Sequence, residues 1–96
     1  MNEKLLSLTP ENSIPLLNQF NTSIQDLIED ILSDMRDALF FQHDTRITRS
    51  VTKLELTSAE ELALSLFFYS CGYQCYFGYH HFKDVAPYRV IYVVKH

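Results

Sequence analysis

Cys71, Cys75, His80 and His81 are the residues of this chain with the most reactive side chains. A thiol beside an imidazole makes a nucleophile, and paired thiols with paired imidazoles make a zinc set. Their spacing argues against both. Cys71 falls where a helix should end and Cys75 lies in a strand, so the pair lacks the C-x₂-C knuckle of structural zinc sites. Adjacent histidines in a strand point to opposite faces. Cys75 and His81 share one side of that strand, but cysteine is more often a small buried apolar group than a nucleophile. No phosphate-binding glycine loop, GxSxG elbow or HExxH helix is present. The two glycines, Gly72 and Gly78, exclude glycine-dependent cofactor loops. The expectation is no metal, no cofactor and no catalytic residue set.

Charge offers a second kind of chemistry. Asp26, Asp30 and Asp34 recur every fourth residue, with Glu29 and Asp37 beside them and Arg36 as the fixed cation of the same stretch. Residues 22–42 carry a net charge of −4, which equals that of the whole chain. Like charges at i, i+4 oppose a helix by about 0.2–0.5 kcal/mol per pair. Asp34 and Asp37 also sit toward the negative end of the helix dipole. Local stability therefore does not account for the stripe. Either it is a solvated face, or it meets positive charge on a partner protein or within the fold. On the first of these binding readings, reversing Asp30 and Asp34 to Lys abolishes capture and leaves the fold intact.

Arg46, Arg49 and Lys53 form the basic counterpart, with His43 and Thr45 just before them and Thr48, Ser50 and Thr52 between them. Such a mixture contacts phosphate, yet three fixed charges make a small patch that the acidic stretch offsets. A charge-guarded edge strand or a pairing with the acidic helix explains them as well, and nucleic acid is not the expected partner.

Ten of the thirteen aromatic residues fall between Phe67 and Tyr92, and all six tyrosines are among them. Tyrosine wants one wet end, so it collects at core margins and interfaces. Strand alternation puts Tyr73, Cys75, Phe77, Tyr79 and His81 on one side, and Gln74, Tyr76, Gly78, His80 and Phe82 on the other. In the last strand Tyr88, Val90, Tyr92 and Val94 oppose Arg89, Ile91, Val93 and Lys95. Neither side is cleanly polar, so both faces are expected to be covered, one by the domain's own helices and one by a partner or a second copy. Tyr73, Tyr76, Tyr79, Tyr88 and Tyr92 are the interface candidates. Base stacking by these rings needs a cationic groove, and the hairpin region supplies only Lys83, Arg89 and Lys95.

Six elements must position these groups. Thr9 as N-cap and Pro10 at the first helical position predict a short helix or two turns over Pro10 to Phe20, interrupted near Pro15. Asn21, Thr22 and Ser23 are cap residues, and Thr22 with Gln25 matches a capping box. Apolar residues then recur at Ile24, Leu27, Ile28, Ile31, Leu32, Met35 and Leu39, the stripe of an amphipathic helix from Ser23 to Phe41. Thr45 to Leu56 reads as a strand whose alternation changes phase, which a bulge near Thr52 would repair, the alternative being a strand with mostly exposed residues in its first half. Thr57 with Glu60, or Ser58 with Glu61, caps a helix that runs to Cys71 and stops at Gly72. That helix is apolar nearly all round, so burial on more than one side is expected. Tyr73 to Phe82 and Tyr88 to Lys95 read as a hairpin joined by Lys83 to Pro87.

The fold class is thus α+β in the order α-α-β-α-β-β, a three-stranded sheet with a C-terminal antiparallel hairpin and helices packed against it. A single domain spans 1–96: an N-terminal extension or short helix over 1–20, the acidic helix over 22–42, and a β-α-β-β unit over 45–96. An apolar share of 47% supports a packed core. No signal peptide or membrane span is read, and two cysteines suit a reducing cytoplasm. With a pI near 5.4, nonspecific attraction to nucleic acid or anionic membrane is not expected. The expected function is a non-enzymatic protein-binding module, a small inhibitor or adaptor that presents Asp26, Glu29, Asp30, Asp34 and Asp37 to a basic surface such as that of a nucleic-acid-handling protein. Anti-restriction and anti-CRISPR proteins are analogues in charge and size alone. The alternatives are a homodimeric assembly protein that uses the tyrosine-rich hairpin, and a weak nucleic-acid binder through Arg46, Arg49 and Lys53.

Overall fold

The computed structural model describes residues 2–41 and 46–95. His43, Thr45 and the side chain of Leu39 lie outside the described residues. The architecture is α+β: helices on a three-stranded antiparallel sheet.

A first helix not expected from the sequence, α1 (Glu3–Leu8), precedes the others. Asn2 caps it, with Oδ1 accepting from the Lys4 and Leu5 amides at 2.8 and 3.4 Å. Thr9 belongs to the end of α1, and its buried hydroxyl donates to the Leu5 carbonyl at 2.6 Å. The N-cap of the next element is therefore Pro10, one residue later than expected, and that element is a 3₁₀ helix (Glu11–Gln19). Pro15 inside it lacks an amide donor, which disfavours a regular α-helix here.

Helix α2 (Thr22–Phe41) is the expected amphipathic helix. Its cap is Asn21, whose Oδ1 accepts from the Ile24 amide at 2.9 Å, rather than a Thr22–Gln25 box. Gln25 instead donates to the Leu17 and Phe20 carbonyls, at 3.1 and 3.0 Å, and ties the 3₁₀ helix to α2. Ile24, Ile28, Ile31, Leu32 and Met35 are buried as the stripe requires.

Strand β1 (Arg46–Ser50) is shorter than the sequence suggested. Val51 is buried, Thr52–Leu54 forms a 3₁₀ turn, and Glu55 adopts a left-handed conformation at φ 48°. This turn, and not a bulge within a longer strand, explains the change of phase. It swings Leu54 and Leu56 against the core.

Helix α3 (Ser58–Ser70) has the Thr57–Glu60 capping box, with bonds of 3.1 and 2.9 Å. Gly72 follows its end at φ +93°, the conformation that favours glycine there. Leu64, Phe67 and Phe68 are fully buried, but Leu62, Leu66 and Tyr69 are 61%, 60% and 64% exposed. The expectation of burial on more than one side fails, because the sheet and the N-terminal helices cover one flank of α3 and no described element covers the other.

Strands β2 (Tyr73–Phe82) and β3 (Val85–Lys95) form the expected hairpin. Its turn is only Lys83–Asp84, with Asp84 at φ 65°, and β3 starts at Val85 rather than Tyr88. A register shift lies between His80 and Phe82. Pro87 is tolerated because β1 ends opposite Val90, so this part of β3 is paired on one side only. The strand order is β1-β3-β2, which makes β3 central and leaves β1 and β2 as edges. Ile91 and Val93 of β3 belong to the core, with Ile47, Tyr73, Cys75 and Phe77 packed against it. By alternation the other face carries Arg46, Thr48 and Ser50 from β1, and the even-numbered residues of β2 and β3.

Phe67 meets Phe20 and Phe68 edge-on, at centroid distances of 5.9 and 5.5 Å. Phe67→Ala should cost about 3–5 kcal/mol in urea unfolding, whereas Leu62→Ala on the uncovered flank of α3 should change stability by less than about 0.5 kcal/mol. Equal effects would contradict this one-sided placement of α3.

Candidate protein-contact surface

The structure first resolves the charge pattern. Arg49 lies on the helix side of β1, where its Nε donates to Asp30 Oδ2 at 2.8 Å and its guanidinium also pairs with Asp34. Glu29 accepts both its contacts from Asn2 Nδ2, at 3.0 Å. Asp37 sits 4.0 Å from Arg36 at the surface. Asp26 is exposed and has no ion pair among the described residues. The acidic stripe therefore meets positive charge within the fold, through a strand residue nineteen positions away from Asp30.

The three cations are not brought together. Arg46 stands on the sheet face away from the helices, with its guanidinium carbon 4.9 Å from the centre of the Tyr92 ring. Arg49 points to the opposite face, as their odd spacing requires. Lys53 is exposed on the 3₁₀ turn after β1.

The tyrosines divide as alternation predicts. Tyr76, Tyr88 and Tyr92 lie on the open sheet face, while Tyr73 and Tyr79 are on the helix side. The open face is organised around His80, which the sequence reading weighed only as a metal ligand. The Tyr92 hydroxyl and His80 Nε2 share a hydrogen bond of 2.5 Å, and His80 Nδ1 and the Tyr88 hydroxyl a longer one of 3.4 Å. Phe82 stacks on Tyr88 with centroids 5.7 Å apart. A Cβ added to Gly78 would sit 3.4 Å from Tyr92 Cε2, at van der Waals contact, so the Tyr92 ring lies close over this glycine of β2. Between Arg46, Tyr76, Tyr92 and Val94 opens a concavity of about 360 Å³. Sequence reasoning missed His80, Phe82 and Arg46 as one cluster with the tyrosines. The even-numbered alternation of β2 carried part of that signal, but Arg46 joins only through the distant pairing of β1 with β3, in which Arg46 faces Val94.

On the helix side, Arg89 makes a bidentate pair with Glu61 of α3, at 2.8 and 2.7 Å, and its guanidinium lies 4.6 Å from the Tyr79 ring centre. The bond to Glu61 holds the Arg89 proton more tightly than usual. A cleft of about 350 Å³ beside this pair is lined by Thr52, Ser58 and Tyr79 among others. Ser13 donates to Ser70 Oγ at 2.7 Å, since the Ser70 hydroxyl proton goes to the Phe67 carbonyl at 2.6 Å.

Cys71 and Cys75 are both free thiols. Burial pushes Cys71 up, and burial pushes Cys75 from an ordinary value of 9.0 up to about 12. Both therefore stay protonated near neutrality, the opposite of what nucleophilic or metal-ligand chemistry asks of a cysteine. Among the described residues no group of His, Cys, Asp and Glu is arranged to hold a metal ion. No helix among them is long and apolar enough to cross a membrane.

Two expectations follow. Asp30→Lys/Asp34→Lys removes both partners of Arg49 and sets like charges beside it, so unfolding at low salt should show a loss of about 1–2 kcal/mol that shrinks as salt is added. An unchanged stability would mean that the Arg49 pairs contribute nothing. For Cys75, the unfolded thiol releases its proton first as pH rises past 9.0, while the folded thiol keeps it to about 12. The native state then binds more protons, so stability falls across this window. Cys75→Val should flatten the fall, and a wild-type slope in the variant would assign it to other groups. Compared with protein-family models, curated proteins and solved structures, the chain matches none.

Proposed function

We propose that this chain is a non-enzymatic protein-binding module whose contact surface is the open, aromatic face of its sheet. One observation carries the reading: the helices occupy a single face of the sheet, and the other presents Tyr76, Tyr88, Tyr92, His80 and Phe82 together with Arg46. Tyrosines fixed by hydrogen bonds and stacking offer large contact area at low entropic cost, and Tyr and Arg are the residue types that dominate interface energetics. The concavity beside Arg46 suits a partner that brings an apolar side chain between Tyr76 and Tyr92 and a carboxylate to the guanidinium. Base stacking on the same rings would need a cationic groove, and of Arg46, Arg49 and Lys53 only Arg46 stands there. The free thiols fit a reducing compartment such as the cytoplasm.

The acidic face of α2 is the second reading, with a basic protein surface as partner. It is favoured by the exposure of Asp26 and Asp37, and weakened by the engagement of Asp30, Asp34 and Glu29 within the fold.

Capture of partners from source-cell lysate, with and without nuclease, separates the two. Arg46→Glu/Tyr76→Ser is expected to abolish capture while Asp26→Lys/Asp37→Lys retains it, each variant being checked for wild-type unfolding. The reverse pattern would replace the aromatic face by the acidic one, and capture that nuclease removes would overturn both.

A further inference from the structure

We propose that two copies of this chain pair through strand β2, antiparallel about a two-fold axis, so that two three-stranded sheets join into one of six strands. Leu62, Leu66 and Tyr69 of the two α3 helices then pack together beneath the joint.

The two edges of the sheet differ in a way that points to this pairing. Strand β1 has five residues and carries Arg46 and Arg49. Strand β2 has ten residues and carries no Asp, Glu, Lys or Arg from Tyr73 to Phe82. Exposed edges are normally blunted by shortness, charge, proline or a bulge. Here the register shift near His80 interrupts only the turn end of β2, which leaves Tyr73 to Tyr79 as a regular strand with its outer backbone edge unpaired by any described strand.

The helix above that edge matches it. Leu62, Leu66 and Tyr69 recur at helical spacing of four and three, and all three are about three-fifths exposed. Leu66 and Tyr69 share a groove of about 300 Å³ with Gln74, Cys75 and Tyr76 of β2. The apolar strip is therefore continuous from helix to strand edge. A standard stable interface takes roughly 800 Å² from each copy, so the joint has to bury the three helix side chains and the strand edge together.

Charge selects a second copy as occupant. The chain has a net charge of −4, so a partner identical to itself approaches only where that charge is absent. It is absent here: the carboxylates of α2 lie with β1, on the far edge of the sheet. The acids near this flank, Glu60 and Glu61, are engaged by the Thr57 amide and by Arg89. A two-fold axis through an antiparallel edge also brings each residue against its own counterpart region, as isologous contacts require. The joint sets the open aromatic faces side by side and shares only Tyr76 with the partner reading above, so its test uses Leu66 and Tyr92 instead.

Light scattering from micromolar to millimolar protein tests it. The expected mass is about twice 11.3 kDa, dissociating on dilution. Leu66→Lys should weaken dimerisation at least about thirtyfold with wild-type unfolding of the monomer, and Tyr92→Ala on the open face should leave it unchanged. Hydrogen exchange on the wild type gives a second reading, with amides between Tyr73 and Tyr79 gaining protection as concentration rises. A mass of 11.3 kDa throughout, or a dimer that survives Leu66→Lys or dissolves in Tyr92→Ala, would overturn the proposal, as would β2 amides whose exchange ignores concentration.

Discussion

The Phe67 ring has no contact with solvent, and it holds Phe20 from the N-terminal layer and Phe68 from its own helix. The same core includes Ile91 and Val93 of the central strand. All the helices thus converge on one face of the sheet, and the aromatic bulk available to the core is used there. Chains of this size bury a limited fraction of their surface. The rest of the structure follows from that allocation, because the second sheet face and the far flank of α3 keep their apolar side chains with no described helix to cover them.

Where local pattern decided structure, the sequence was readable. The stripe from Ile24 to Met35 needs only the helical period, the Thr57–Glu60 box lies within one turn, and Gly72 marks a stop by its own backbone freedom. Six residues of α1 are too few for periodicity to emerge, and the turn after Ser50 has no period to detect. The outer flank of α3 misled for a different reason: Leu62 and Leu66 are as apolar as Leu64, and only the arrangement of neighbours separates them. The candidate surface was half legible. Alternation correctly sorted the tyrosines into two sets and His80 joins them within the hairpin, but Arg46 enters the cluster only through the pairing of β1 with β3 across half the chain.

Charge is distributed as unevenly as apolar surface. Arg49 draws β1 to the acidic helix, and Arg89 draws β3 to the start of α3 through Glu61. Arg49 and Arg89 each set one polar clamp at the margin of the core, where partial exposure keeps the desolvation cost low, whereas β2, against which α3 packs, carries no Asp, Glu, Lys or Arg. The clamps orient the layers, while the apolar interior between them supplies the stabilisation.

The position of β3 between the two edge strands also sets an order of events. A ribosome makes β1, α3 and β2 before any of β3, so neither edge strand has a neighbour to pair with until the segment from Val85 to Lys95 emerges. The hairpin closes over a two-residue turn, whereas Arg49 must find Ile91 across more than forty residues of chain. Loops of that length close more slowly than hairpins. The uncharged strand β2 is thus recruited early and the guarded strand β1 late. During that interval Arg46 and Arg49 are what keeps the waiting β1 from joining a neighbouring chain.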